Sequence, residues 1–268
     1  RVLEALSKTK IPVPKPLLFC ADTNIIGTPF YVMERLHGRV FHDAALPYLP
    51  PDERRKIYRS LAETLAQLHA LDPNAIGLSD FGRPGDYFER QLIRWSKQWT
   101  ESHTKPIPAL DHLIEELSRT LPEDDGCVSI VHGDYRMGNM MFHESEQRVI
   151  GILDWELSTL GHPLADLGFA AMAWHTTPKE YGGLSGLDLE QLSIPTKQDF
   201  IQTYFNASVR ASKLEPFHIA FALFRFAVIF VGIADRVRAG NAAGQNAQEI
   251  APLAERFAEL GLSVLRNG

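Results

Sequence analysis

Hydrophobic positions along the chain change period several times, and each change marks an element. Val2, Leu3 and Leu6 stand at helical spacing from the outset, so the sequence opens on the end of a helix with no capping residue before it. The stretch IPVPKP stops that helix, because proline has no N–H and restricts the residue before it. LLFCAD and FYVMERL then read as two antiparallel strands around the polar turn TNIIGTP, with HGRVF as a connector. From Pro51 the period lengthens. Ile57, Leu61, Leu65 and Leu68 line one helical face, and Asp52 and Glu53 suit the positive N-terminal end of that helix. Helices are expected over 87–102, with Leu92, Trp95 and Trp99 on one face, and over 110–121. CVSIV, MMFH and RVIGILD are short strands, the last two joined by a turn at ESEQ. Beyond Pro163 helices are expected over 164–175, 196–212, 216–239 and 248–265, with RAGNAAGQNAQ as a small polar loop before the last.

This order predicts an α+β fold, a small strand-containing piece ahead of a larger, mainly helical body. With 45% hydrophobic and 22% charged residues, the 268-residue chain can bury a core, and disorder is not its default. The net charge of −6 argues against a nucleic-acid binder that works by neutralising phosphates. Cys20 and Cys127 lie far apart, which argues against a disulfide framework and excludes a cysteine-rich zinc site. The cytoplasm is the expected compartment, since the N-terminal stretch RVLEALSKTK has no apolar signal-peptide core. The most apolar stretch, Phe217 to Arg238, is interrupted by His218 and Arg225 and reads as a buried core helix rather than a membrane span, so no membrane partner is expected.

The candidate chemistry lies in VHGDYRMGNMMF, where His132, Asp134 and Asn139 stand in an otherwise apolar run. Burying such groups is costly, so they either hold a turn or do chemistry. Asn139 is five residues beyond Asp134, and Asp154 ends the apolar stretch VIGILD fifteen residues further on. Phosphoryl transfer uses these types: one carboxylate to orient an acceptor hydroxyl, an amide oxygen and a second carboxylate to hold magnesium. Protein kinases carry His-Arg-Asp with an Asn five residues after the Asp, then Asp-Phe-Gly; here the equivalents read His-Gly-Asp and Asp-Trp-Glu. Other readings are weaker. Each residue alone would more often cap a turn. A His132, Asp134, His143 and Asp154 metal site lacks any dense histidine motif, and no GxSxG elbow supports a serine hydrolase.

Together, VHGDYRMGNMMF, GILDWELSTLGHPLADLG and FYVMERLHGRVF resemble the aminoglycoside phosphotransferase and choline kinase superfamily. Within it the chain looks most like the phosphotransferase domain found alone in bacteria or fused to acyl-CoA dehydrogenases. The resemblance implies a protein-kinase-like fold, with a partial N-lobe over 1–34 and a helical C-lobe over 35–268. It implies ATP and Mg²⁺ as cofactors and a small-molecule hydroxyl as acceptor, and the subfamily resemblance suggests one of hydroxyacyl-CoA type. Asp134 then matches the catalytic aspartate, and Asn139 and Asp154 the magnesium ligands. Glu34, Arg35 and Leu36 match the hinge whose backbone binds adenine. His132 and Asp166 would brace the catalytic loop, and Arg136 would touch a phosphate or the substrate. The family's glycine-rich loop and lysine are not in this sequence. The expectation is that about 80 residues of a typical lobe lie ahead of it. The alternatives are a non-catalytic nucleotide-binding module of the same fold, or a kinase acting on an aminoglycoside or choline.

Overall fold

The computed structural model describes residues 1–102, 105–209, 213–238 and 247–267. The fold is a mixture of helices and small antiparallel sheets, and the chain divides into two units that interleave in sequence. Unit 1 comprises Arg1–Arg83, Ser129–Leu160 and Gly186–Ser212; unit 2 comprises Pro84–Val128, Gly161–Ser185 and Lys213–Gly268.

Unit 1 begins with the short helix α1 (Val2–Leu6), which buries Val2, Leu3 and Leu6. The prolines that follow deliver the chain into β1 (Pro16–Cys20), which pairs antiparallel with β2 (Phe30–Met33) in the register Leu18↔Val32 and Cys20↔Phe30. Among the described residues the ribbon has two strands, and it leaves Leu17 63% and Phe19 68% exposed. The predicted connector HGRVF contains a two-residue strand, β3 (Arg39–Val40). It pairs with β5 (Met140–Phe142), which in turn pairs with β6 (Val149–Ile152). Arg39 ties this sheet's turn together by donating to the carbonyls of His143 and Glu146. β4 (Ser129–Val131) pairs with a further short strand, β7 (Thr159–Gly161), which hydrophobic pattern did not reveal.

Helix α2 (Pro51–His69) starts with proline in its first turn, where the missing N–H leaves no helical bond unmade. Its face of Ile57, Leu61, Leu65 and Leu68 is fully buried. It packs on α6 (Lys197–Ala207), whose start is fixed by a reciprocal cap between Thr196 and Asp199. Two aromatic contacts knit the pair, Tyr58 edge-on to Phe200 and His69 to Tyr204, the latter with a 2.8 Å bond from His69 Nδ1 to the phenol.

Unit 2 is helical. Its centre is α7 (Pro216–Arg238), packed by α3 (Tyr87–Thr100), α4 (Pro108–Arg119), α5 (Leu164–Ala171) and α8 (Ala247–Asn267). α7 is long and apolar enough to cross a membrane, but 78% of its most apolar window is buried within the chain, as the core reading expects. Most of the predicted loop RAGNAAGQNAQ lies outside the described residues.

Candidate active site

The site in unit 1 is built on the β5–β6 hairpin and the loop that precedes it. That loop leaves β4 through His132, whose ring is fully buried. His132 Nδ1 accepts the Asp134 backbone N–H at 3.1 Å, so in the neutral ring Nε2 carries the proton and donates it to Leu153 O at 2.8 Å. The imidazole thereby links the loop to the end of β6. It braces the turn, and Trp155 packs against its edge with ring centroids 4.7 Å apart. Tyr135 anchors the next step, donating its hydroxyl to Leu61 O on α2 at 2.8 Å.

Gly133 turns the chain between brace and carboxylate at φ +85°, a region open to glycine. A Cβ there would lie 2.6 Å from the carbonyl oxygen of Leu157. The turn thus requires the glycine that distinguishes His-Gly-Asp from the protein-kinase triplet.

Asp134 has a side chain only 16% exposed. Its Oδ2 accepts Asn139 Nδ2 at 2.7 Å and Arg136 Nε at 3.3 Å. Its Oδ1 is buried and has no hydrogen-bond partner, although the Arg136 guanidinium lies 3.3 Å away. A buried carboxylate oxygen without a donor is expensive, so its persistence marks a place for a group the chain does not itself supply.

Asn139 closes a single 3₁₀ turn, Met137–Asn139, by bonding its N–H to Arg136 O. Its amide donates both to Asp134 Oδ2 and to Asp134 O, the latter at 2.9 Å. The free atom of that amide is the oxygen. Asp154 sits at the facing end of the hairpin, because Leu153 N–H donates to Asn139 O at 2.8 Å. Its backbone is left-handed at φ +62°, which turns the exposed carboxylate out of the strand line. An amide oxygen and a carboxylate at adjoining strand ends form a hard-oxygen pair of the kind magnesium prefers.

Asp154 also lines a cavity of about 620 Å³ together with Leu3 and Glu4 of α1, Phe19 and Tyr31 of the ribbon, and Trp155 and Glu156. Sequence reading did not assign the α1 residues or Glu156 to the site. Their part depends on a turn at Asp154 that no periodicity reports. The hinge stretch Glu34, Arg35 and Leu36 does not line this cavity. It follows β2 as an irregular segment held to the start of β1, with Glu34 N–H donating to Lys15 O at 2.8 Å. Asp166 belongs to unit 2, where it is buried in the first turn of α5. The structure therefore gathers His132, Asp134, Arg136, Asn139 and Asp154 in one loop and hairpin.

His143 takes no part: it caps the β5–β6 turn, its Nδ1 accepting the N–H groups of Ser145 and Glu146. A second cluster of possible metal ligands, Asp125, Cys127 and His162, stands in unit 2 with its ligand atoms within 4.8 Å of one another. Leu164 N–H donates to His162 Nδ1 at 3.2 Å, which leaves the proton on Nε2, facing Asp125 Oδ1 at 3.2 Å. That tautomer offers no lone pair to a metal.

A family description, the phosphotransferase enzyme family, matches residues 1–188. Acyl-CoA dehydrogenase family member 10 of mouse is 38% identical over 97% of this chain and 24% of its own length. Human acyl-CoA dehydrogenase family member 11 is 39% identical over 100% of this chain and 34% of its own. The chain thus spans about a quarter to a third of the length of these relatives. Among solved structures, a Ralstonia eutropha protein provisionally named an aminoglycoside phosphotransferase superposes with a TM-score of 0.93 at 43% identity, over 99% of this chain and 81% of its own. An aminoglycoside phosphotransferase crystallised with ADP and hygromycin B has a TM-score of 0.64 at 14% identity, over 100% of this chain and 81% of its own, which speaks to the fold alone. The fold is accordingly the protein-kinase-like one, and by sequence and by the loop-and-hairpin site it carries, the chain belongs to the phosphotransferase enzyme family.

Proposed function

We propose that the chain transfers the terminal phosphoryl group of ATP to the hydroxyl of a small molecule. The observation that carries this reading is the asymmetry of Asp134. One carboxylate oxygen is clamped by Asn139 and Arg136, and the other is buried and without a donor. In this reading Asp134 Oδ1 accepts the hydrogen bond of the acceptor hydroxyl and receives its proton as the new O–P bond forms. Asn139, through its amide oxygen, and Asp154 would hold Mg²⁺. When bound, Mg-ATP supplies the phosphoryl group and offsets its developing charge. Arg136 is placed to steady the Asp134 carboxylate. The hinge residues Glu34, Arg35 and Leu36 would bind adenine through their backbone, and Asp166 would support the loop.

Related structures holding ADP or AMP-PNP support a nucleotide as donor. The acyl-CoA dehydrogenase names of the relatives support an acyl-CoA-linked hydroxyl as acceptor. The test is release of ADP from Mg-ATP in the presence of a panel of hydroxyacyl-CoA, amino-alcohol, sugar and aminoglycoside acceptors, with product phosphorylation read by mass. Asp134→Asn should lower turnover by about 10²–10⁴-fold. Turnover unchanged in that variant would remove Asp134 from its role. Magnesium-dependent ATP binding with no ADP release on any acceptor would leave a nucleotide-binding module instead.

A further inference from the structure

Where β6 ends, two consecutive backbone carbonyls are taken by ring N–H groups. His132 Nε2 donates to Leu153 O at 2.8 Å, and Trp155 Nε1 donates to Ile152 O at 2.9 Å. The two rings also meet each other, with their planes at 61°. The bond from Trp155 back to Ile152 spans Leu153 and Asp154, so it encloses the left-handed residue Asp154. On the other side Ser158 gives Trp155 O two donors, its N–H at 3.1 Å and its hydroxyl at 2.6 Å. Trp155 is buried and is thus fastened at its ring, its ring nitrogen and its carbonyl.

The same residue belongs to the cavity. It lines the wall between Asp154 and Glu156, whose side chains are exposed. One side chain therefore touches both the cavity wall and the brace behind Asp134. The Phe of the protein-kinase Asp-Phe-Gly would supply a ring in this place but no N–H. The bond to Ile152 O is what the indole adds in this chain.

We propose that Trp155 is a positioning residue that holds the carboxylates of Asp154 and Asp134 in one register. Its N–H sets the turn at Asp154. Its ring holds His132, which in turn holds the Asp134 N–H. A ligand entering the cavity then meets Asp154 already placed relative to Asp134, and does not have to order the two separately. That this register serves phosphoryl transfer rests on the reading above; the tie itself does not.

The experiment is hydrogen exchange of single amides in the whole chain, joined to calorimetric titration with Mg-ADP. Trp155→Phe keeps a ring and removes the N–H; Trp155→Leu removes both. The Ser158 N–H, bonded to Trp155 O, should exchange about three- to tenfold faster in both variants, the loss of one hydrogen bond. The Asp134 N–H, bonded to His132 Nδ1, should exchange faster only in Trp155→Leu, by about tenfold. Amides of unit 2 should be unchanged in either. The Mg²⁺ concentration that half-saturates ADP binding should rise about three- to tenfold in both variants. An unchanged Ser158 rate in Trp155→Phe, or an unchanged Asp134 rate in Trp155→Leu, would overturn the assignment. So would an unaltered Mg²⁺ response in both variants when wild type binds Mg-ADP. A uniform rise across both units would reduce Trp155 to a core filler. Absence of Mg-ADP binding by wild type, with the exchange differences intact, would instead remove the phosphotransferase reading and leave the tie.

Discussion

Asn139 commits its amide to Asp134, bonding Oδ2 at 2.7 Å and the backbone oxygen at 2.9 Å. One side chain thus fixes both the position of the carboxylate and the turn that presents it, and leaves only its own oxygen for a ligand. Asn139→Ala should therefore lower phosphotransfer by at least about 10²-fold. It should also cost about 1–2 kcal/mol of stability, since two acceptors lose their donor. Activity and thermal denaturation measured on one preparation check both. Full activity with the stability loss would make Asn139 a turn cap and nothing more.

The left-handed backbone of Asp154 separates its conformational role from its chemical one. Glycine adopts φ +62° freely, whereas alanine is strained there by about 1 kcal/mol. Asp154→Gly should match or exceed the wild type in denaturant midpoint, and Asp154→Ala should fall below Asp154→Gly by about 1 kcal/mol. Neither should retain magnesium-dependent phosphotransfer. Equal midpoints for the two variants would contradict the turn described at the end of β6.

His218 gives unit 2 a pH dependence. Burial in the aromatic nest of Phe88 and Phe217 pushes its pKa down to about 4; a bond at Glu215 and the Asp125 charge oppose the shift, and His162 adds to it. The folded pKa lies below the unfolded value near 6.5, so between these limits the unfolded chain binds more protons. Stability should fall as pH drops from about 6.5 to about 4, by at most about 3 kcal/mol from this residue. His218→Phe should flatten that limb in denaturation curves taken across the window. A slope that survives the substitution assigns the acid sensitivity elsewhere.

Arg54 is buried in α2 and donates to three carbonyls, Leu49 at 2.9 Å, Leu192 at 3.0 Å and Pro47 at 3.4 Å. It ties the entry to α2 to the chain ahead of α6. Arg54→Ala should cost about 3 kcal/mol, because several buried acceptors lose a charged donor at once. Arg54→Lys should recover only part of this, having no planar fork. A urea midpoint unchanged in Arg54→Ala would show that water replaces the guanidinium.

The long elements were legible because their periods are long. Ile57 to Leu68 repeats over enough turns to exclude a strand, and ESEQ between two apolar tetrads leaves little besides a hairpin. β3 and β7 were not, since two or three residues carry no period and their partners are remote in sequence. The residues of the candidate loop were picked out by spacing joined to resemblance. The open Oδ1 of Asp134 was not, because whether an atom has a partner is a property of packing. Nor was the left-handed turn at Asp154, which aspartate permits but does not announce. The interleaving of the two units rests on contacts such as Arg54 to Leu192, which no local pattern encodes.

The glycine between His132 and Asp134 bears on how such loops diverge. With the Leu157 oxygen 2.6 Å from where its Cβ would be, no single substitution converts this triplet into the His-Arg-Asp of protein kinases. The segment carrying Leu157 would have to move in the same step, and that segment follows directly on Asp154, Trp155 and Glu156 at the cavity. An intermediate with one change and not the other would be disabled at both strand ends. A side chain at position 133 would thus be felt at both ends of the hairpin, which makes the loop and the segment after Asp154 one coupled unit.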